Sequence, residues 1–129
     1  MYSELADILK TRTQKLALDI LILLDEIQNS TIYNVSINQL RKSATSIGAN
    51  YGSALRAKSK ADFISKLSFV IEEANETLYW LALLFESKKI KEFEFEKLHK
   101  ETLEILNIMA KTKSSTIKNV KPSKITNTD

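Results

Sequence analysis

The stretch that decides the fold is residues 36–57, SINQLRKSATSIGANYGSALRA. Its apolar side chains recur in alternating steps of three and four residues, which is the spacing of a helix that packs through a heptad seam. The seam consists of Ile37, Leu40, Ala44, Ile47, Tyr51 and Ala54. Ser36, followed three residues later by Gln39, has the pattern of a capping box and predicts that the helix begins there.

Helical periodicity continues on both sides of this stretch. Residues 2–28 repeat apolar side chains at three- and four-residue steps, and so do residues 60–86 and 92–113. Ser59 with Asp62 forms a second capping-box pattern, which predicts a very short turn before the third helix. Residues 29–35 and 87–91 are predicted to be the other two connections.

Four amphipathic helices with short links predict an all-α protein, folded as an antiparallel up-down four-helix bundle. The chain of 129 residues has only two glycines and one proline, which argues against turn-rich β folds and glycine-rich nucleotide folds. Residues 1–113 are expected to form the bundle. Residues 114–129 lack periodicity and are expected to be a disordered basic tail.

The third helix is apolar over a wider face than one core requires, because its main stripe is widened by Ile64, Ile71, Trp80, Leu83 and Leu84. Self-association would bury such a second surface. The alternative is a wide core covered by one long loop.

Composition excludes several kinds of site. The chain has no cysteine, and no Ser-His-Asp set is available beyond its single histidine, His99. Glu96 and His99 have the E-x-x-H spacing of di-metal bundles, but the second pair that such a site needs is missing. No cofactor, metal site or catalytic residue is predicted.

The longest apolar run, residues 20–24, is far too short for a membrane span, so a cytoplasmic protein is expected.

The net charge of +3 conceals two basic regions. Residues 36–66 contain six cations against Asp62 alone, and residues 111–129 contain five lysines against Asp129. We interpret the first group as a candidate nucleic-acid-binding surface that would contact phosphates. The alternative is a solvated helix face that only confers solubility. The candidate residues are Arg41, Lys42, Arg56, Lys58, Lys60 and Lys66.

Gly48 and Gly52 lie inside the predicted second helix, where each costs about 1 kcal/mol relative to alanine. The compensating benefit would be the close approach of another helix or, alternatively, of a ligand. Asn50 is a candidate polar core residue that would fix the register of the helices. We group Gly48, Asn50, Tyr51, Gly52, Tyr79 and Trp80 as helix-packing or oligomer residues.

Residues 39–85, QLRKSATSIGANYGSALRAKSKADFISKLSFVIEEANETLYWLALLF, resemble the bacterial four helix bundle protein family. This family was first noted as reading frames in intervening sequences of large-subunit ribosomal RNA genes. The matching elements include the segments 46–51 and 56–59, Asp62 with Phe63, and residues 79–81. The flanking helices have suitable length and character, so the resemblance covers nearly the whole chain.

The resemblance implies a ring-like homopentamer with no known enzymatic activity. The family is also similar in fold to the accessory variability determinant of diversity-generating retroelements, a basic pentamer that associates with a reverse transcriptase and nucleic acid. Arg41, Arg56 and Lys66 match basic positions of the family pattern, whereas Gly52 and Ser53 depart from it. We therefore predict a non-catalytic module that binds RNA, DNA or a partner such as a reverse transcriptase. The alternative is a scaffold that binds only proteins.

Overall fold

The computed structural model describes residues 3–27, 31 and 33–128, and it describes side chains as far as residue 119. The described residues form four helices, α1 (Glu4–Glu26), α2 (Asn34–Leu55), α3 (Lys60–Glu86) and α4 (Glu92–Thr128). Each helix packs against its neighbours in the sequence, and α1 also packs against α4. The predicted four-helix bundle is thereby confirmed. None of the described helices is long and apolar enough to cross a membrane.

The core is built from the seam that the sequence predicts on α2, together with the apolar faces of the other three helices. Leu40, Ala44 and Ile47 of α2 are completely buried. Leu67 and Leu81 of α3 and residues of α1 and α4 close the core around them. Phe85 of α3 stacks on Phe95 of α4, with ring centroids 4.3 Å apart.

Two of the helix starts are made by serine side chains. The hydroxyl oxygen of Ser3 accepts a hydrogen bond from the backbone N–H of Ala6, and that of Ser59 accepts one from Asp62, each at 3.1 Å. These bonds satisfy N–H groups that have no partner inside the helix. The predicted cap at Ser59 is confirmed. The terminal residues Tyr2 and Gln28 of the predicted first helix lie outside the described part of the chain.

The predicted cap at Ser36 is wrong. α2 begins at Asn34 after Tyr33, which makes no side-chain capping bond, so Ser36 already lies within the first turn. The backbone N–H of Ile37 donates to the carbonyl of Tyr33 at 3.0 Å. The acceptor of this main-chain bond lies three residues before Ser36, so the helix already begins ahead of the predicted cap.

The prediction that the last helix ends near Lys113 is also wrong, because α4 continues to Thr128. Thr112, Thr116 and Asn119 recur at three- and four-residue steps and line a cleft with α1 and the α2–α3 connection. This position beside the other three helices, as far as residue 119, is not evident from the polar composition of the segment. The separation of residues 114–129 from the bundle as a tail stays a prediction.

Candidate nucleic-acid interface

The α2–α3 connection carries three of the predicted phosphate-binding residues. Arg56 directly follows α2, Lys58 lies in the turn and Lys60 begins α3, and all three side chains are exposed. The start of α1 and the C-terminal part of α4 surround this connection, because residues of all four helices line one cleft here. We call this region, centred on Arg56, Lys58 and Lys60, the basic end of the bundle.

Asp62 is the acidic group within this turn, and it is used internally. One carboxylate oxygen accepts hydrogen bonds from the backbone N–H of Lys58 at 3.1 Å and from the ammonium group of Lys66 at 3.0 Å. The bond from Lys66, and next the bond from Lys58, hold the pKa of the Asp62 carboxyl below its usual value. Lys66 is therefore part of a local ion pair, unlike the other candidate cations of this end.

Arg41 and Lys42 lie far from the basic end. Fifteen residues separate Arg41 from Arg56, which corresponds to about 22 Å along a helix. The Arg41 guanidinium donates to the side-chain oxygen of Asn38 at 2.7 Å. The six candidate cations thus form two groups and not one compact patch.

Lys42 also lies close to acidic side chains of α3. Burial raises the pKa of Glu73, and the neighbouring carboxylate of Glu76 raises it further, whereas the charge of Lys42 opposes both effects. The field of Lys42 is partly compensated by these carboxylates. The basic end is therefore the better candidate for binding an anion.

The two glycines of α2 have different surroundings. A Cβ atom on Gly48 would lie 3.1 Å from the hydroxyl oxygen of Thr13, so α1 approaches α2 closely at this point. A Cβ atom on Gly52 would meet only the guanidinium of Arg56, at 3.6 Å. The close approach of α1 therefore explains a glycine at position 48. It does not explain the glycine at position 52.

The polar contact that joins two helices is not made by Asn50. The Asn50 amide donates to the carbonyl of Ser46 in its own helix at 2.9 Å, and the side chain is only half-buried. Within the described chain Asn50 therefore bonds no second helix, and its role as a packing or oligomer residue stays a prediction. Instead, the buried hydroxyl of Thr77 on α3 bonds that of Ser43 on α2 at 2.9 Å.

The remaining packing candidates differ in burial. Tyr51 is buried in the core. Trp80 is half-buried against the core, whereas 59% of Tyr79 is exposed, and the two rings meet edge to face with centroids 4.8 Å apart. Tyr79 thus remains available on the outer surface of α3.

Sequence reasoning missed an ion-pair network between α1 and α4. Arg12 donates to both carboxylate oxygens of Glu101, at 2.9 and 2.6 Å, and to Glu104 at 3.0 Å. The hydrogen bond to Glu101 raises the pKa of Arg12 above its ordinary value. The sequence shows that the two glutamates are spaced i, i+3 and so share a face of α4. It does not show that Arg12 lies opposite them, because that depends on how α1 packs against α4.

No cluster of three His, Asp or Glu residues that could hold a metal ion occurs within the part of the chain that the structure describes. Glu96 is exposed, and the His99 ring lies against Phe95 with centroids 5.1 Å apart. The E-x-x-H pair thus places its histidine beside an aromatic ring.

Comparison with known proteins identifies one family. The model of the family described as 23S rRNA-intervening sequence protein matches residues 8–111. A similar solved structure is that of a protein with unknown function from the S23 ribosomal protein family of Bacteroides thetaiotaomicron. It is 34% identical, with a TM-score of 0.78, over 84% of this chain and 97% of that chain. No match is found among curated proteins. The chain, on its sequence and its fold, belongs to the 23S rRNA-intervening sequence protein family.

Proposed function

We propose that this chain is a non-catalytic, oligomeric module of the cytoplasm that binds structured RNA through its basic end. The observation that carries the proposal is the set of exposed cations Arg56, Lys58 and Lys60, whose neighbouring carboxylate, Asp62, is occupied within the turn. Phosphate contacts by such side chains supply most of the sequence-independent affinity for nucleic acids.

The C-terminal part of α4 supports this assignment. Thr112 and Thr116 line the cleft at the basic end, so α4 brings Lys111, Lys113 and Lys118 to the same region. Cations from separate parts of the sequence therefore lie at the same end of the bundle, where Glu4 and Asp7 of α1 also lie. RNA is favoured over DNA because the name of the family refers to ribosomal RNA. A ribonucleoprotein that contains a reverse transcriptase would present the same phosphate chemistry.

A titration of a labelled, structured RNA at increasing salt tests the proposal. If four to six phosphates are contacted, the logarithm of the association constant should fall against the logarithm of salt concentration with a slope of roughly −4 to −5. The affinity should drop steeply between about 50 and 200 mM salt. Absence of binding at the lower concentration would contradict the proposal.

Assembly into the homopentamer implied by the family resemblance is part of the same proposal. Phe69, Tyr79 and Leu83 lie at heptad spacing on the outer face of α3 and remain 52%, 59% and 37% exposed. Contact between copies would bury these side chains and repeat the basic end around a ring. A sedimentation mass equal to one chain would contradict the assembly.

The same exposed stripe favours the second candidate function, a scaffold that binds proteins only. Glu72 and Glu76 are exposed between Phe69 and Tyr79, which gives the stripe a mixed apolar and acidic character suited to a protein partner. An intact oligomer that binds no RNA would favour this candidate.

A further inference from the structure

A cleft of about 480 Å³ opens at the basic end of the bundle. It lies between the start of α1, the α2–α3 connection and the C-terminal part of α4. We call it the end cleft. Its volume falls in the range of roughly 300–1,000 Å³ that is typical of sites for small molecules.

The floor of the end cleft is apolar. Leu9 and Phe63 contribute to it, together with Leu55 from the last turn of α2. Leu5 lies at its edge and is 48% exposed, so apolar surface is presented to solvent at this point. A planar apolar group that covered this floor would remove that surface from water.

The rim of the end cleft is polar, with different chemistry on its two sides. Lys58 and Lys60 lie on the side of the α2–α3 connection, whereas the neutral groups Thr116 and Asn119 lie on the side of α4. Both lysine side chains are exposed. A ligand that matches this rim carries negative charge at one side and uncharged hydrogen-bonding groups at the other.

No carboxylate lines the end cleft within the part of the chain whose side chains are described. The cleft between α1 and α4 differs in this respect, since Asp19, Glu101 and Glu104 line it together with lysines. Electrostatics therefore makes the end cleft the more favourable of the two for an anion.

We propose that the end cleft receives an unpaired nucleotide of the bound RNA. The base covers the apolar floor, its phosphate lies between Lys58 and Lys60, and Thr116 and Asn119 hydrogen-bond polar groups of the base or ribose. The Thr116 hydroxyl already donates to the carbonyl of Thr112 at 2.8 Å, so it would accept a hydrogen bond from the ligand, whereas the exposed Asn119 amide can donate and accept. A nucleotide offers groups for both, which an anion with a purely aliphatic body does not. The inference rests on the proposed function and adds the kind of nucleotide that is recognised.

A base within a paired stem cannot reach the floor, so RNA with a single-stranded end should bind more tightly than blunt RNA. The experiment compares the full-length protein with a blunt RNA hairpin and with the same hairpin extended by three unpaired nucleotides at either end. Stacking of one base should favour an extended hairpin by about fivefold or more.

Thr116→Glu tests the position of the base, because it introduces a carboxylate into the cleft on a residue of a helix surface. Ser115→Glu is the matched control, since it changes the net charge equally on a neighbouring exposed residue that does not line the cleft. We expect T116E to abolish the preference for extended RNA and S115E to retain it. Circular dichroism of both variants checks that the helices are intact.

The outcomes separate this inference from the proposed function. Equal affinity of the unmodified protein for blunt and extended hairpins would overturn the inference and leave the RNA-binding proposal in place. Equal loss of the preference in T116E and S115E would also overturn it, because total charge would then explain the effect. A protein that binds neither hairpin would refute both proposals.

Discussion

Arg56, Lys58 and Lys60 at the basic end have a counterpart at the other end of the bundle. The α3–α4 connection carries Lys88, Lys89 and Lys91, so each connection contributes three cations. We call this second region, centred on these three lysines, the mixed end. There Glu86 and Glu92 line the same cleft as the three lysines, whereas no described carboxylate lines the end cleft at the basic end. The arrangement of carboxylates, and not the number of cations, distinguishes the two ends.

The start of α3 at the basic end and the end of α3 at the mixed end are closed differently. At the basic end the side chains of Ser59 and Asp62 bond the main chain. At the mixed end main-chain groups do so, since the N–H groups of Lys89 and Lys88 donate to the carbonyls of Leu84 and Phe85, each at 2.9 Å. This is the Schellman pattern, in which one residue adopts a left-handed conformation. The Asp62 carboxylate is thereby used within the connection itself, and the other carboxylates near the basic end, those of Glu4 and Asp7, lie on the first turn of α1.

The largest difference between the ends is expected in RNA affinity. The triple variant Arg56→Ala, Lys58→Ala, Lys60→Ala should bind structured RNA about tenfold to a hundredfold more weakly at about 0.1 M salt. The salt slope should become shallower by roughly 2 to 3, because three phosphate contacts are lost. Fluorescence anisotropy across a salt series measures both quantities.

The matched control removes the same charge from the mixed end, with Lys88, Lys89 and Lys91 each changed to Ala. This variant should keep most of the affinity, because Glu86 and Glu92 already compensate these lysines. If both triple variants lose affinity equally, the response is to net charge alone and the assignment of the interface to the basic end fails.

The sequence was sufficient to predict the parts of the fold that depend on local pattern. The seam on α2 and the Ser59 cap need only residues a few positions apart, so periodicity and capping rules identify them. The continuation of α4 could not be predicted in this way. Thr112, Thr116 and Asn119 are polar, and the cleft that they line with the starts of α1 and α3 exists only in the tertiary fold.

Prediction of the candidate interface from the sequence was limited in the same way. Composition located the cations between residues 36 and 66, but it could not show that Lys42 lies close to Glu73 on another helix. The interhelical bond between Ser43 and Thr77 was likewise hidden, since its two residues are 34 positions apart. Local spacing identifies residue types, whereas their electrostatic partners depend on tertiary register.

A smaller effect is expected from the cap at the basic end. Ser59→Ala should lower the free energy of unfolding by about 1 kcal/mol, because the N–H of Asp62 loses the hydroxyl acceptor that caps α3. Ser87→Ala at the mixed end is the control. The Ser87 hydroxyl donates to the carbonyl of Leu83, which already accepts from the N–H of Ser87, so this change should cost only a few tenths of a kcal/mol. Urea denaturation compares the two variants, and equal losses would show that the caps are not what separates the ends.

The smallest effect is expected at Lys88, whose backbone has a φ angle of 63°. Lys88→Gly should stabilise the protein by about 0.5 kcal/mol, since relief of roughly 1–2 kcal/mol of left-handed strain is partly offset by the greater backbone entropy of glycine in the unfolded chain. Lys88→Ala removes the same charge but retains a Cβ atom, so it should leave the stability nearly unchanged. Thermal unfolding of both variants separates backbone from charge. An equal shift in stability for the Gly and Ala variants would assign the effect to the loss of the lysine charge. Electrostatics would then govern the mixed end as it governs the basic end.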